Sequence, residues 1–408
     1  MEKDQETSLK YLFLTFLKIG AISWGGFMAL ISVVQKQLVE KDKKVADEVI
    51  LDSISLASVL PGPVAFNVVA YLGFHLRGIK GALVSMVAIL LPAFSLILGL
   101  TYIYSIYEEV PAFTNFFLGV LPAVAAIIIS VALNMARKNM KDVLQLVILI
   151  LSGLALIFFR SFYTTVLIMA GGAILGLLFY GKGVEEKAEP ELVQKTSKQN
   201  IRSFLPVVVV LIVLVGLVWG FPLLFHKEAT FTQVLLLRDI AMTFSGMSLT
   251  LFGGGYVIIP AIHEIVVEGL NWVTAKEFTD AIAMGQITPG PIFISATFIG
   301  YKVANFWGAL VATIAIFFPP AILMIFCSGF MDQIKQSRII SAIFKGLRPA
   351  VIGMIFSAAY TIGKGMEMHW ATWLIFIGVL FLSIKLKVNV AYLIPLSGLI
   401  GILLFSLF

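Results

Sequence analysis

Two Pro-Gly-Pro triplets, Pro61-Gly62-Pro63 and Pro289-Gly290-Pro291, interrupt apolar runs that otherwise read as helix. Proline lacks an amide proton and clashes with the preceding helical turn, and glycine accommodates a reversal. One helix therefore ends before each triplet and another opens after it, at Val64 and at Ile292. A helix start offers unpaired amides and about half a positive charge, so both openings are natural anion cradles. Asn67 and Ser295, about one turn further on, could donate hydrogen bonds there, or satisfy helix contacts instead.

Holding a dianion in an apolar setting needs more positive charge than two helix starts supply, which directs attention to cations within apolar runs. Lys18 lies between Phe16 and Ile19 and reads either as a site cation or as a lysine snorkelling to the interface. Arg348 follows Lys345 in the first turns of its segment and invites the same two readings. Asp52 and Asp280 each stand nine residues before a triplet and could carry protons for coupling, or complement a helix dipole. Gly25-Gly26 and Gly253-Gly254-Gly255 are too far from any strand pattern to be phosphate loops. They read as points of close backbone approach or hinges.

The elements that must position these residues are set by composition. With 60% hydrophobic and 13% charged residues in 408, and a mean hydropathy of +1.00, the chain is an all-α polytopic membrane protein. The half-helix from Val64 to Leu76 covers roughly 20 Å at about 1.5 Å per residue, short of a hydrocarbon core of about 30 Å. Irregular backbone at that depth is tolerated where protein buries it or water reaches it. Broken helices in matching halves point to a transporter site.

The net charge of +6 comes from basic residues in short loops and reports orientation, not nucleic acid. A single cysteine, Cys327, and four scattered histidines give no disulfide framework and no metal site. No nucleotide-binding loop of the Walker type occurs, and no cofactor is expected. A membrane-embedded enzyme would need clustered His, Asp or Cys, which the sequence lacks. The N-terminus shows no cleavable signal pattern.

Read in order, Tyr11 to Val34 is apolar but weakened by Lys18 and the glycines, and a charged loop from Gln35 to Glu48 leads to the first triplet. Four apolar segments follow, roughly 81–105, 113–133, 143–159 and 163–180. A polar linker and the apolar segment Phe204 to Phe225 join the second half, which runs from Phe231 to Ile262, through the second triplet, and then through four more segments to Phe408. The expected organisation is an N-terminal repeat over 1–180, a linker with a connecting helix over 181–225, and a C-terminal repeat over 226–408. Phe16, Gly25-Gly26, Glu40, Asp52 and the first triplet recur at an offset of 228 residues. After one deletion, Pro122-Ala123-Val124 recurs as Pro349-Ala350-Val351 at 227. Basic loops at 36–44, 77–80, 137–141 and 182–202 are placed inside. In the second half the pattern reverses, since 263–274 has no lysine or arginine and is placed outside, while 335–338 and 385–387 are basic. The expected fold is thus two inverted repeats with broken or re-entrant helices at the Pro-Gly-Pro motifs.

Phe16-Leu17-Lys18-Ile19-Gly20 before Trp24-Gly25-Gly26, Leu60-Pro61-Gly62-Pro63, their copies Phe252-Gly253-Gly254-Gly255 and Thr288-Pro289-Gly290-Pro291, and Gly346-Leu347-Arg348-Pro349-Ala350 together resemble the chromate ion transporters of the long-chain, two-domain kind. The first glycine motif departs from the family pattern, with Trp24 before it and Phe27 after it. The resemblance covers nearly the whole chain. It implies a multi-pass protein of the bacterial inner membrane that moves chromate, with sulfate as a competing oxyanion, typically outward and driven by the proton gradient. A passive anion channel or an uptake transporter for another oxyanion is the alternative. The lipid bilayer is the other partner, and the oligomeric state is open, a homodimer being the assembly considered.

Overall fold

The computed structural model describes residues 7–23, 27–107, 110–159, 162–181, 231–250, 258–329, 337–364, 366 and 369–406. Among them there is no strand. The first half contains α1 (Leu9–Ile22), α2 (Phe27–Gln35), α3 (Asp47–Val59), α4 (Val64–Tyr107), α5 (Pro111–Asn139), α6 (Val143–Phe158) and α7 (Phe162–Tyr180). The second contains α8 (Phe231–Thr250), α9 (Ile258–His263), α10 (Ala275–Ile287), α11 (Ser295–Ser328), α12 (Arg338–Lys364), α13 (Trp370–Ile384) and α14 (Val390–Ser406). Four stretches, Val64–Tyr107, Pro111–Asn139, Ile292–Ser328 and Ile339–Lys364, are long and apolar enough to cross a membrane. Their neighbours α6 and α13 turn Leu151, Phe158, Trp373 and Ile377 outward, an apolar exterior that suits lipid rather than water. The chain is therefore an all-α membrane protein. The apolar segment at 204–225 lies outside the described residues.

The first apolar run is divided between two helices, since α1 ends at Ile22 with a non-helical Ser23 after it and α2 begins at Phe27. The charged stretch 35–48 differs from the loop expected of it. Helix α2 runs on into a π-helical turn, Lys36–Lys41, and α3 begins already at Asp47. The same device follows α9, where Glu264–Gly269 forms a π turn before α10. Each turn delivers the chain to a residue at positive φ, Lys43 at 49° and Asn271 at 50°. The wider turn lets a polar stretch stay helical while re-aiming the next helix, which hydropathy alone does not reveal.

Local geometry repeats through the rest of both halves. Helix α4 is kinked at Gly78 (φ 61°) and α11 at Asn305 (φ 50°), 227 residues apart. Beyond each kink the half-helix lies close against its own continuation. A Cβ on Gly73 would meet the Gly81 carbonyl oxygen at 2.6 Å, and Gly300 opposes Gly308 in the same way.

Packing divides the helices into two groups. α1 lies on α4, α8 on α11, and α4 on α11, which makes a central group carrying both Pro-Gly-Pro breaks. The second group exchanges helices between the halves: α5 packs on α13 and α14, α12 packs on α6 and α7, and α5 meets α12. Short helices connect the groups, α10 through α5 and α14, and α9 through α12.

Candidate functional site

At the first break α3 stops at Val59 and α4 opens at Val64, with Gly62 at φ 91° between them. At the second, α10 stops at Ile287, Gly290 has φ 111°, and a 3-10 turn over Ile292–Ile294 leads into α11. An L residue avoids that left-handed region, so both reversals rest on glycine. The first backbone bond of the new helix in the first half runs from the Asn67 amide to the Pro63 carbonyl, which leaves the amides of Val64, Ala65 and Phe66 without an intrahelical acceptor.

Each break is seated against the other half. Gly62 abuts Pro320 of α11 so tightly that a Cβ there would overlap the proline ring. Gly290 faces Ala93 of α4, the position equivalent to Pro320, and its amide donates to the carbonyl of Ser23 at the end of α1 (3.0 Å). The ring of Phe317 joins the two, lying 5.0 Å from Phe66 and 6.2 Å from Phe293 between centroids. The opening turns of both half-helices thus converge on one buried residue from opposite halves of the chain.

The polar groups at this convergence are buried and incompletely used. Asn67 is fully buried, and its amide nitrogen donates to the Pro61 carbonyl (3.0 Å), which ties down the turn and fixes the orientation of the amide. Its Oδ1 finds no hydrogen-bond partner among the described residues. Ser295, the repeat counterpart of Asn67, is likewise fully buried with a partnerless Oγ, and so is Ser23, at 1% exposure. An unsatisfied buried polar atom costs about 1–3 kcal/mol. The Ser23 and Ser295 hydroxyls could each donate, whereas the Asn67 Oδ1 can only accept, its donor being spent on Pro61.

Other residues singled out from the sequence fall elsewhere. Lys18 is exposed, on the outward face of α1 between Leu14 and Ile22, each 52% exposed. That placement suits snorkelling along a lipid-facing helix and does not bring Lys18 to the breaks. Arg348 is also exposed, while neighbouring Lys345 reaches over the ring of Tyr180 at 5.5 Å. Gly25, Gly26, Gly253, Gly254 and Gly255 lie outside the described residues. Asp52 is half-buried, whereas Asp280 is 2% exposed and accepts a 2.8 Å hydrogen bond from the Tyr104 hydroxyl. Among the described residues no group of His, Cys, Asp and Glu could hold a metal ion.

Sequence reasoning missed Phe317, Ser23 and Tyr104. Phe317 is one apolar residue in an apolar helix and carries no signal of its own. Ser23 could have been found as the polar residue between an apolar run and Gly25-Gly26.

A cavity of about 560 Å³ lies beside the first break, lined by Val59 of α3, Met169 and Ala173 of α7, Leu249 of α8, and Ile343 and Leu347 of α12. Among the described residues its lining is almost wholly apolar, with hydroxyls from Thr165 and Thr250, which does not suit a dianion. Its position is informative. α3, α7 and α12 are the repeat counterparts of α10, α14 and α5, which pack directly on one another.

The chromate transporter family profile matches residues 10–177 and 238–402, one stretch in each half. An uncharacterized transporter of Methanocaldococcus jannaschii is 31% identical over 99% of this chain and 96% of its own length. Chromate transport proteins of Cupriavidus metallidurans and Pseudomonas aeruginosa are 28% and 29% identical, over 93% and 98% of this chain and 89% and 93% of their own. No solved structure matches the chain. The two matched stretches carry the two breaks that converge on Phe317, and this polytopic helical chain belongs to the chromate transporter family.

Proposed function

We propose that this protein exports chromate across the bacterial inner membrane as a secondary active transporter, built from inverted repeats over 1–180 and 226–408. The observation that carries the reading is the convergence of the two half-helix openings on Phe317, with the Ser295 hydroxyl buried and unused beside one of them. Helix starts present amides and partial positive charge to a tetrahedral oxyanion, and a hydroxyl adds a donor. Sulfate shares the shape and charge and competes for the same donors. Chromate transport proteins among the relatives, matched over nearly full length, support chromate as the cargo.

Unequal packing of the repeats supports alternating access. α10 closed on α5 and α14, with α3 separated from α7 and α12 by a cavity, is one state. Exchange of the two arrangements gives the other. Radiolabelled chromate flux into proteoliposomes, with and without an imposed proton gradient, tests the reading. Concentrative flux that follows the gradient is expected. Flux that only runs down the chromate gradient would make the protein a passive anion channel.

A further inference from the structure

We infer that Asp280, bonded to Tyr104, is the proton-binding carboxylate of this transporter, and that its repeat counterpart Asp52 is not. The inference rests on the secondary active reading above and assigns the coupling ion a site.

The two aspartates occupy equivalent positions, the sixth residues of α10 and α3. Early acidic residues commonly serve the helix dipole, but in α10 that role is filled by Glu277. Its carboxylate accepts from the Thr274 amide (2.8 Å) while the Thr274 hydroxyl accepts from the Glu277 amide (3.2 Å), a complete capping box. Asp280, one turn further in, is left for another purpose. It is 2% exposed, and its partner Tyr104 is 1% exposed and enclosed by the rings of Phe113, Phe117 and Phe298. Intramembrane carboxyls in such surroundings mark proton relays, because burial favours taking up a proton and a hydroxyl can bond either form. As a carboxylate, Asp280 accepts from the Tyr104 O–H. When it binds one proton it becomes neutral and can donate in turn.

A polar route leads outward from this pair. Lys302 lies 5.5 Å over the Tyr104 ring and bonds Glu277 at 2.7 Å, and these two side chains are 23% and 16% exposed. The remaining ionisable groups around α10 are few. Its own Lys276 is exposed, and α9 brings His263, whose ring stands 5.1 Å from that of Phe278. On α5, Arg137 and Lys138 lie about 30 Å along the helix from Phe117, and α14 brings only the exposed Tyr392. On the topology expected from basic loops, the Thr274 end of α10 faces outside, the side from which protons enter during export.

The first half is built differently: Asp52 lies near the phenol of Tyr71, a residue of its own half, and not beside a tyrosine enclosed by rings from both halves. Asp52 is half-buried, and the position equivalent to Tyr104 in the second half is Met331, which has no hydroxyl to offer. Asp280 also sits on the helix that connects the two packing groups through α5 and α14. Charge on this carboxyl therefore bears on whether α10 stays closed.

Infrared titration of the purified protein in lipid reads the protonated carboxyl directly and needs no substrate. Against the background of the other 22 of the 23 Asp and Glu side chains, one distinct carboxylic C=O band of a buried carboxyl is expected to grow on acidification in wild type and in Asp52→Asn, and to be missing in Asp280→Asn. Tyr104→Phe removes a bond to the charged form, so its band should appear at higher pH. In proteoliposomes, the ratio of gradient-driven flux to chromate/chromate exchange should fall at least about tenfold in Asp280→Asn and stay unchanged in Asp52→Asn. A band that survives in Asp280→Asn, a Tyr104→Phe titration identical to wild type, or equal loss of coupling in both aspartate variants would overturn the assignment. Should wild type show the band but no chromate flux, the substrate reading fails while the proton site stands.

Discussion

The two Pro-Gly-Pro breaks are the same in sequence and different in setting. Gly62 is pressed against Pro320, and α3 behind it has a cavity between itself and α7 and α12. Among the described residues a Cβ on Gly290 would meet the Ala93 methyl at ordinary contact distance, 3.5 Å, and α10 behind it is packed on α5 and α14. Matching local geometry in unlike surroundings is what a repeat protein caught in one of two arrangements should show. On the proposed alternating access the short helices before each break would be the moving parts, since the long helices α4 and α11 carry the same kink in both halves.

The comparison breaks most readily at the glycines. Alanine at either position meets the left-handed backbone penalty of roughly 1–2 kcal/mol. Gly62→Ala additionally overlaps Pro320, and overpacking adds typically about 1–3 kcal/mol. Chemical unfolding in mixed micelles should therefore show Gly62→Ala less stable than Gly290→Ala by about 1–3 kcal/mol. Equal losses would mean that the two breaks are packed alike.

Filling the cavity sharpens the same contrast. Ala173→Trp on α7 places a large ring in the cavity into which α3 would close on the proposed alternating access, so it should hold the open arrangement and lower chromate flux at least about tenfold. Unchanged flux at matched expression would show that the cavity plays no part in the cycle. The smallest effect is expected at Lys18. Glutamine on an outward face should leave half-saturating chromate within about twofold of wild type, and a larger change would return Lys18 to the site.

Much of the fold was legible because its signals are local. Proline and glycine chemistry announces a break whatever surrounds it, and the repeat made both breaks stand out together. Facing was not legible in a chain this apolar. Phe16 and Ile19 are buried while Leu14 and Ile22 are exposed, and hydropathy does not separate them, so the side on which Lys18 lies could not be read. The π turns after α2 and α9 were hidden for a related reason, since a charged stretch reads as a loop unless its backbone is seen. Asp52 and Asp280 mark a further limit. A repeat predicts equivalent positions but not equivalent burial, and the Tyr104 hydroxyl comes from the opposite half of the chain.

The central claim is that the converging half-helix openings form the oxyanion site, and Ser295→Ala tests it with little disturbance to the fold. The hydroxyl has no partner among the described residues, so its removal should leave stability unchanged or slightly raised. A hydrogen bond to a charged group contributes about 1.5–3 kcal/mol, so chromate affinity should weaken at least about tenfold. Equilibrium chromate binding to wild type and Ser295→Ala in lipid nanodiscs decides the matter. A rise of that size in the dissociation constant, with sulfate competing in parallel, is the expected result, and an unchanged constant would contradict the placement of the site at the breaks.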